Sequence, residues 1–324
     1  MWQWITIGTD VDDSISESYA QLRSMKNVSI IEDTSQKKRL IKKKILGLSR
    51  YISVSHSFRA YDRIVHMLAL HENKTIKEIQ GQNIGVLAIE SPRAICPAYI
   101  QALKEQYPKA CFVLVLVNAL SEYPKLVDWV RNVEEEFDFV YTCNKKDAVD
   151  NGWRYRPDCY TPRIISKSAI VKSSRCDLLF LGADKGRAKL AYKIFKRLSN
   201  QGIECKFYIL GNNSYGIRDE NFVFLDKPMS YVDYLSLVAG TNAILELVAN
   251  NERFCTLRTM EALSYGKLLI TNNTSIIYEP FYSENQIMVI SSEEDIDPER
   301  ILVSRFKTSN YFLPEHFLHE IEEL

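Results

Sequence analysis

Two segments of the chain bring together residue types that suit anion binding. The first is the apolar run Leu178-Leu179-Phe180-Leu181, which leads into Gly182-Ala183-Asp184-Lys185-Gly186-Arg187 and then a helical pattern. A glycine-containing turn between strand and helix presents backbone N–H groups at a helix N-terminus, where a phosphate is favoured. Lys185 and Arg187 add cations at that place. Taken alone, the same loop also reads as a plain connection with solvated basic residues. The second segment runs from Asn250 to Asn272. It reads as a polar loop, a helix from about Thr256, a stop at Gly266 and a buried strand. Asp10 and Asp12 have a spacing at which two carboxylates can bind Mg²⁺. Their position after the first strand predicts a polar loop and helix cap instead, with Thr9 and Asp10 lining a cleft. No metal site is expected.

These segments need a scaffold. Short apolar runs alternate with helical patterns along the chain. The runs predict strands at Trp4–Ile7, Ser29–Ile31, Ile84–Ile89, Cys111–Val117, Phe139–Thr142, Leu178–Leu181, Cys205–Leu210, Ala243–Val248 and Leu268–Ile270. Runs such as Phe112 to Val117 are apolar on both faces, as parallel strands covered by helices are. Ala188 to Asn200 carries Leu190, Ile194, Phe195 and Leu198 on one helical stripe. Strand, helix and strand in repetition predict a doubly wound parallel α/β fold. At roughly 100–200 residues per domain, 324 residues predict two domains. A boundary fits near residues 155–176, where prolines hold Arg154 to Pro162 extended and a polar stretch follows. Pro314 to Leu324 reads as one short helix.

The order "FLGADKGR … YILG … YVDYL … RFCTLRTMEALSYGKLLITNN" resembles the donor half of the GT-B glycosyltransferases, nearest to those that build bacterial capsule, lipopolysaccharide or exopolysaccharide. The likeness is good over roughly residues 176–290; the first half matches only in layout. Thr256, Leu257, Glu261, Ala262, Leu263, Gly266 and Lys267 fit that family's loop-and-helix signature. The resemblance implies two Rossmann-like domains facing across a cleft. It divides the chain into an acceptor-side domain over 1–165, a nucleotide-sugar domain over 166–308 and a C-terminal helix over 309–324 that returns toward the first domain. It implies that Glu261 accepts ribose hydroxyls, and that Gly182, Lys185, Arg187, Arg253, Phe254, Cys255, Thr256 and Leu257 surround the diphosphate. Lys185 and Arg187 would then stabilise the departing nucleotide diphosphate. Many members carry a second Glu eight residues before the ribose Glu; that position here is Arg253, with Glu252 one residue off register. An inverting reaction needs a base at a strand end in the first half. Glu90, directly after Ile84–Ile89, is the best placed, with Asn118 an acceptor contact on the same edge.

The donor is thus expected to be a nucleotide diphosphate sugar, with no resident cofactor, and the acceptor a saccharide, free or lipid-linked. The alternative is a catalytically silent GT-B subunit that supports a partner transferase. A nucleotide-sugar epimerase of the same architecture fits less well, because no acid/base set can be assigned to it. Lys37 to Arg50 holds many cations and no acid, with Leu40, Ile41, Ile45 and Leu48 at helical spacing. It reads either as a solvated helix on the N-terminal sheet or as a face for an anionic membrane surface. The 41 basic and 41 acidic residues balance, which argues against a nucleic-acid binder. No apolar run reaches the length of a membrane span and no signal peptide is visible, so the expected place is the cytoplasm, with any membrane contact peripheral. The seven cysteines are scattered and read as reduced core thiols. The five histidines fall in no metal-binding order.

Overall fold

The computed structural model describes residues 2–9, 13–31, 64–69, 71, 83–165, 175–248, 255–303 and 305–324. Asp10, Asp12, the basic stretch 37–50, His56, Glu252, Arg253 and Phe254 lie outside the described residues. The chain forms two compact units, one of Met1–Thr161 with Leu313–Leu324 and one of Pro162–Phe312.

In the first unit the strands are β1 (Trp2–Ile7), β2 (Val28–Ile31), β3 (Asn83–Ile89), β4 (Cys111–Leu116), β5 (Phe139–Thr142) and β6 (Arg154–Tyr155). They form one parallel sheet in the order β2-β1-β3-β4-β5-β6. Helices α1 (Asp13–Ser18), α2 (Pro97–Gln106), α3 (Pro124–Arg131) and α4 (Lys145–Asn151) connect them. Alternate residues of the central strands enter different cores. Val86, Ala88 and Leu114 pack with Tyr99, Ile100 and Leu103 of α2, while Leu87, Ile89, Val113 and Val115 pack on the other face. Gly85 of β3 pairs with Trp4 of β1. A Cβ at Gly85 would come within 2.4 Å of the Trp4 ring, so only glycine leaves room for the indole.

In the second unit the strands are β7 (Cys176–Ala183), β8 (Cys205–Leu210), β9 (Phe222–Leu225), β10 (Thr241–Glu246), β11 (Leu268–Thr271) and β12 (Ile287–Val289). Their order is β12-β11-β10-β7-β8-β9, again all parallel. Helices α5 (Ala188–Asn200), α6 (Tyr231–Gly240), α7 (Leu257–Ser264) and α8 (Pro298–Val303) belong to it. The stripe of α5 is buried as its spacing predicts, with Ile194, Phe195 and Leu198 in the core beside Phe180, Phe207 and Phe222. Helix α9 (Pro314–Glu322) belongs to the first unit. It buries Phe317, Leu318 and Ile321 against Trp4, Tyr19 and Tyr141. Its Glu322 accepts a hydrogen bond from the Trp4 indole at 2.8 Å, and its Glu320 pairs with Arg156 at 2.7 Å.

Three strands were not expected from the sequence: β6, β9 and β12. All three are sheet edges. An edge strand has a neighbour on one side only, and these three are short, at two, four and three residues. All seven cysteines are free. Among the described residues no helix is long and apolar enough to cross a membrane, and no cluster of His, Cys, Asp or Glu is arranged to hold a metal ion.

Candidate active site

The site is built where β7 and β10 end. In the second sheet the first strand of the unit, β7, lies between β8 and β10, so the winding direction reverses between β7 and β10. In open α/β sheets such a point leaves a crevice beyond the carboxyl ends of the strands. A cavity of about 230 Å³ occupies that place. Phe180, Leu181 and Gly182 of β7, Leu245 to Val248 at the end of β10, and Arg187, Thr256, Leu257 and Arg258 line it.

The turn after β7 is tight. Lys185 and Gly186 both take positive φ, at 40° and 81°. The Asp184 carbonyl accepts from the Arg187 N–H at 2.7 Å, and its carboxylate accepts from the Ala188 N–H at 3.0 Å, which caps α5. Lys185 is exposed and does not line the cavity. Arg187 does, but its guanidinium folds back onto the backbone. It donates to the carbonyls of Ala183 and Leu247 and, from Nε at 3.3 Å, to that of Asp184. One side chain therefore ties the end of β7 to the end of β10 across the point of reversal. Strand-end carbonyls lack ladder partners, and a guanidinium with five N–H donors suits them.

Glu246, the last residue of β10, has a role that sequence reading missed. Its carboxylate is buried and receives three threonine hydroxyls. Thr256 and Thr259 donate to Oε1, the latter at 2.7 Å, and Thr271 donates to Oε2 at 2.5 Å. Thr256 is also the N-cap of α7, accepting from the Arg258 N–H at 3.1 Å. Glu246 thus fixes the start of α7 and the end of β11 to β10. Its negative charge also suits the positive end of α7. At the same edge the Asn272 side chain holds Val248 through both its N–H, at 2.7 Å, and its carbonyl, at 3.2 Å.

Glu261 is fully buried and does not line the cavity. Its Oε2 accepts from the Tyr234 hydroxyl at 2.8 Å and from Arg258 Nη1 at 2.5 Å. Burial pushes its pKa up, and the Arg258 charge opposes that rise. The carboxylate expected to receive ribose hydroxyls therefore does not face the cavity itself, whereas its partner Arg258 does. Arg258 itself, three residues earlier on the same helix face, was another residue missed. The i, i+3 spacing of Arg and Glu was its only signal. Cys255 is half-buried just before the cap and does not line the cavity.

Two residues of the family signature are structural. Gly266 has φ +63°, and a Cβ there would lie 2.5 Å from the Phe306 carbonyl oxygen. Lys267 donates from Nζ to the carbonyls of Ala239 and Thr241, at 3.2 and 2.7 Å, closing the end of α6. Burial lowers its pKa.

In the first unit Glu90 follows β3 as expected. Its Oε2 accepts from the Val117 and Asn118 N–H groups, both at 3.1 Å, and its Oε1 from the Asn118 side-chain amide at 2.9 Å. The structure brings Glu90 and Asn118 together, and the carboxylate holds the turn after β4. His66, His316 and His319 each pair with a nearby glutamate.

Residues 187–302 match a family model described as glycosyl transferase-like. No curated protein is significantly similar to the chain in sequence. Among solved structures, a trehalose-6-phosphate synthase studied with bisubstrate glycomimetics superposes with a TM-score of 0.53 at 9% identity, over 99% of each chain. Another trehalose-6-phosphate synthase gives 0.50 at 7% identity, over 93% of this chain and 91% of that one. A UDP-forming α,α-trehalose-phosphate synthase from Burkholderia vietnamiensis gives 0.48 at 9%, over 94% and 90%. At such identities the shared property is the fold. The chain has the GT-B architecture of two parallel α/β sheets.

Proposed function

We propose that the chain is a glycosyltransferase that moves a sugar from a nucleotide diphosphate sugar to a saccharide acceptor in bacterial surface polysaccharide synthesis. The observation that carries the reading is the cavity at the point of strand reversal. Most of its lining, from Arg187 onward, belongs to the glycosyl transferase-like segment, and two arginines and the start of α7 face it. An acceptor hydroxyl oxygen attacks the anomeric carbon. The bond from that carbon to the β-phosphate oxygen breaks, and the nucleoside diphosphate departs with the electron pair. Negative charge grows on the leaving group, and fixed positive charge nearby lowers the barrier.

In this reading Gly182, Arg187, Thr256 and Leu257, which line the cavity, belong to the donor site, and Arg187 is the cation nearest the departing diphosphate. Arg253 and Phe254 join them on the strength of the resemblance alone, while Lys185 and Cys255, which do not line the cavity, are left out. Glu90 is the base if the reaction inverts. The basic stretch 37–50 would carry the protein to an anionic membrane surface bearing a lipid-linked acceptor. Liposome pelleting at low salt tests that part, and equal pelleting after Lys42, Lys43 and Lys44 are changed to Glu would refute it. Calorimetry with UDP and GDP, followed by release of either from a panel of nucleotide sugars, tests the whole. Binding of neither nucleotide would overturn the proposal.

A second reading, a catalytically silent subunit supporting a partner transferase, has two observations in its favour. Arg253 stands where the resemblance calls for Glu, and Arg187 is engaged with backbone carbonyls. Tight nucleotide binding with no turnover of any sugar tested would favour it.

A further inference from the structure

Helix α7 meets the cavity through Leu257 and Arg258 rather than through its signature glutamate. The Arg258 side chain is 24% exposed and lines the cavity, whereas Glu261 is wholly buried. The guanidinium is held from three directions. It stacks on the Tyr234 ring, 4.0 Å from the centroid. Nη1 donates to Glu261 at 2.5 Å, and Nε donates to the Leu181 carbonyl at 3.3 Å. Tyr234 completes the set by donating to the same Glu261 oxygen at 2.8 Å. Among the described residues, Nη2 of Arg258 has no hydrogen-bond partner.

A guanidinium at a cavity wall, with its orientation fixed and one N–H edge unengaged, is a receptor for an oxyanion. Its rotamer freedom is already lost, so a ligand need not order it on binding. The buried Glu261 supplies the counter-charge that keeps an arginine fixed there. Among the described residues Glu261 Oε1 has no hydrogen-bond partner, and Arg258 and Tyr234 both bond to Oε2.

Resting on the donor-site reading above, we infer that Arg258 grips the diphosphate of a nucleoside diphosphate in this cavity, and that Glu261 and Tyr234 are positioning residues acting through it. A hydrogen bond to a charged group contributes enough for its loss to weaken binding roughly 10- to 100-fold.

The test is calorimetry on the full chain with UDP, GDP and the matching monophosphates. The variants are R258K, R258Q, E261Q and the double variant R258Q/E261Q. R258Q should weaken the diphosphate roughly 10- to 100-fold and the monophosphate less, with partial rescue in R258K. E261Q should weaken the diphosphate when Arg258 is present and add nothing in the R258Q background. The double variant removes both charges, so it serves where R258Q alone leaves Glu261 unpaired and fails to fold. Double-variant affinity equal to wild type would overturn the inference. So would an E261Q loss of the same size with and without Arg258, which would make Glu261 a direct contact. Wild-type protein that binds neither nucleotide overturns the donor-site reading as well; wild-type binding with unchanged R258Q overturns this inference alone.

Discussion

Changing Glu246 to Ala should destabilise the second unit and spare the first. Thr259 and Thr271 are fully buried, and both hydroxyls end on the Glu246 carboxylate. Without it, two hydroxyls are stranded away from water, at about 1–3 kcal/mol each. The Thr256 hydroxyl, at the cavity, recovers a partner from solvent. The expected loss is therefore about 2–6 kcal/mol. Glu246→Gln should cost less, about 1–2 kcal/mol. The amide oxygen still accepts two hydroxyls, while its nitrogen meets Thr271, whose hydroxyl must turn to accept. The four tryptophans, Trp2, Trp4, Trp129 and Trp153, all lie in the first unit. Urea unfolding followed by tryptophan fluorescence thus reports the first unit, and far-ultraviolet circular dichroism reports both. In the Ala variant the dichroism should acquire an earlier transition while the fluorescence midpoint stays in place. A dichroism curve identical to wild type would refute the view that Glu246 holds the threonines.

Lys267→Met should lower the stability of the second unit by about 1–3 kcal/mol, since two α6-terminal carbonyls lose their donor. Its affinity for nucleotide should not change, which calorimetry checks. Burial pushes the Asp158 carboxyl from an ordinary 3.8 up to about 6. The folded first unit then holds that proton more tightly than the unfolded chain does. Stability from this group is complete below about pH 4 and declines by about 3 kcal/mol as pH rises through 6. Asp158→Asn should remove that slope from fluorescence-detected urea midpoints measured between pH 4 and 7. Glu90→Gln should abolish turnover if the reaction inverts and Glu90 is the base. Near-normal kcat, with product of either anomeric configuration by NMR, would leave it as the holder of the Val117–Asn118 turn.

The central strands and α7 are legible because they are governed by local pattern. Phe112 to Leu116 is buried without interruption, and Thr256 and Gly266 bracket α7 as a cap and a left-handed stop. The edge strands β6, β9 and β12 are not legible, since an edge needs only a few apolar residues, whereas the edge strand β2 is, through its run Ser29–Ile31. The arrangement of the site is less readable for a different reason. Thr256, Thr259 and Thr271 meet at Glu246 only after β10, α7 and β11 have packed. Arg187 looks like a phosphate ligand from its place after Gly182. Its capture by the Leu247 carbonyl depends on a strand that begins more than fifty residues later in the chain. Spacing along the sequence carries no record of that neighbour.

The return of α9 to the first unit bears on how the protein is made. The second unit is one continuous stretch, complete once Phe312 has left the ribosome. The first unit is interrupted by it. Until residues 313–324 follow, the face later covered by Phe317, Leu318 and Ile321 leaves Trp4, Tyr19 and Tyr141 exposed. Translation of the intervening stretch takes on the order of 10–30 s at typical elongation rates. For that time the nascent first half presents an apolar surface that chaperones can hold or neighbouring chains can stick to, and its last layer closes after the other unit has had time to fold.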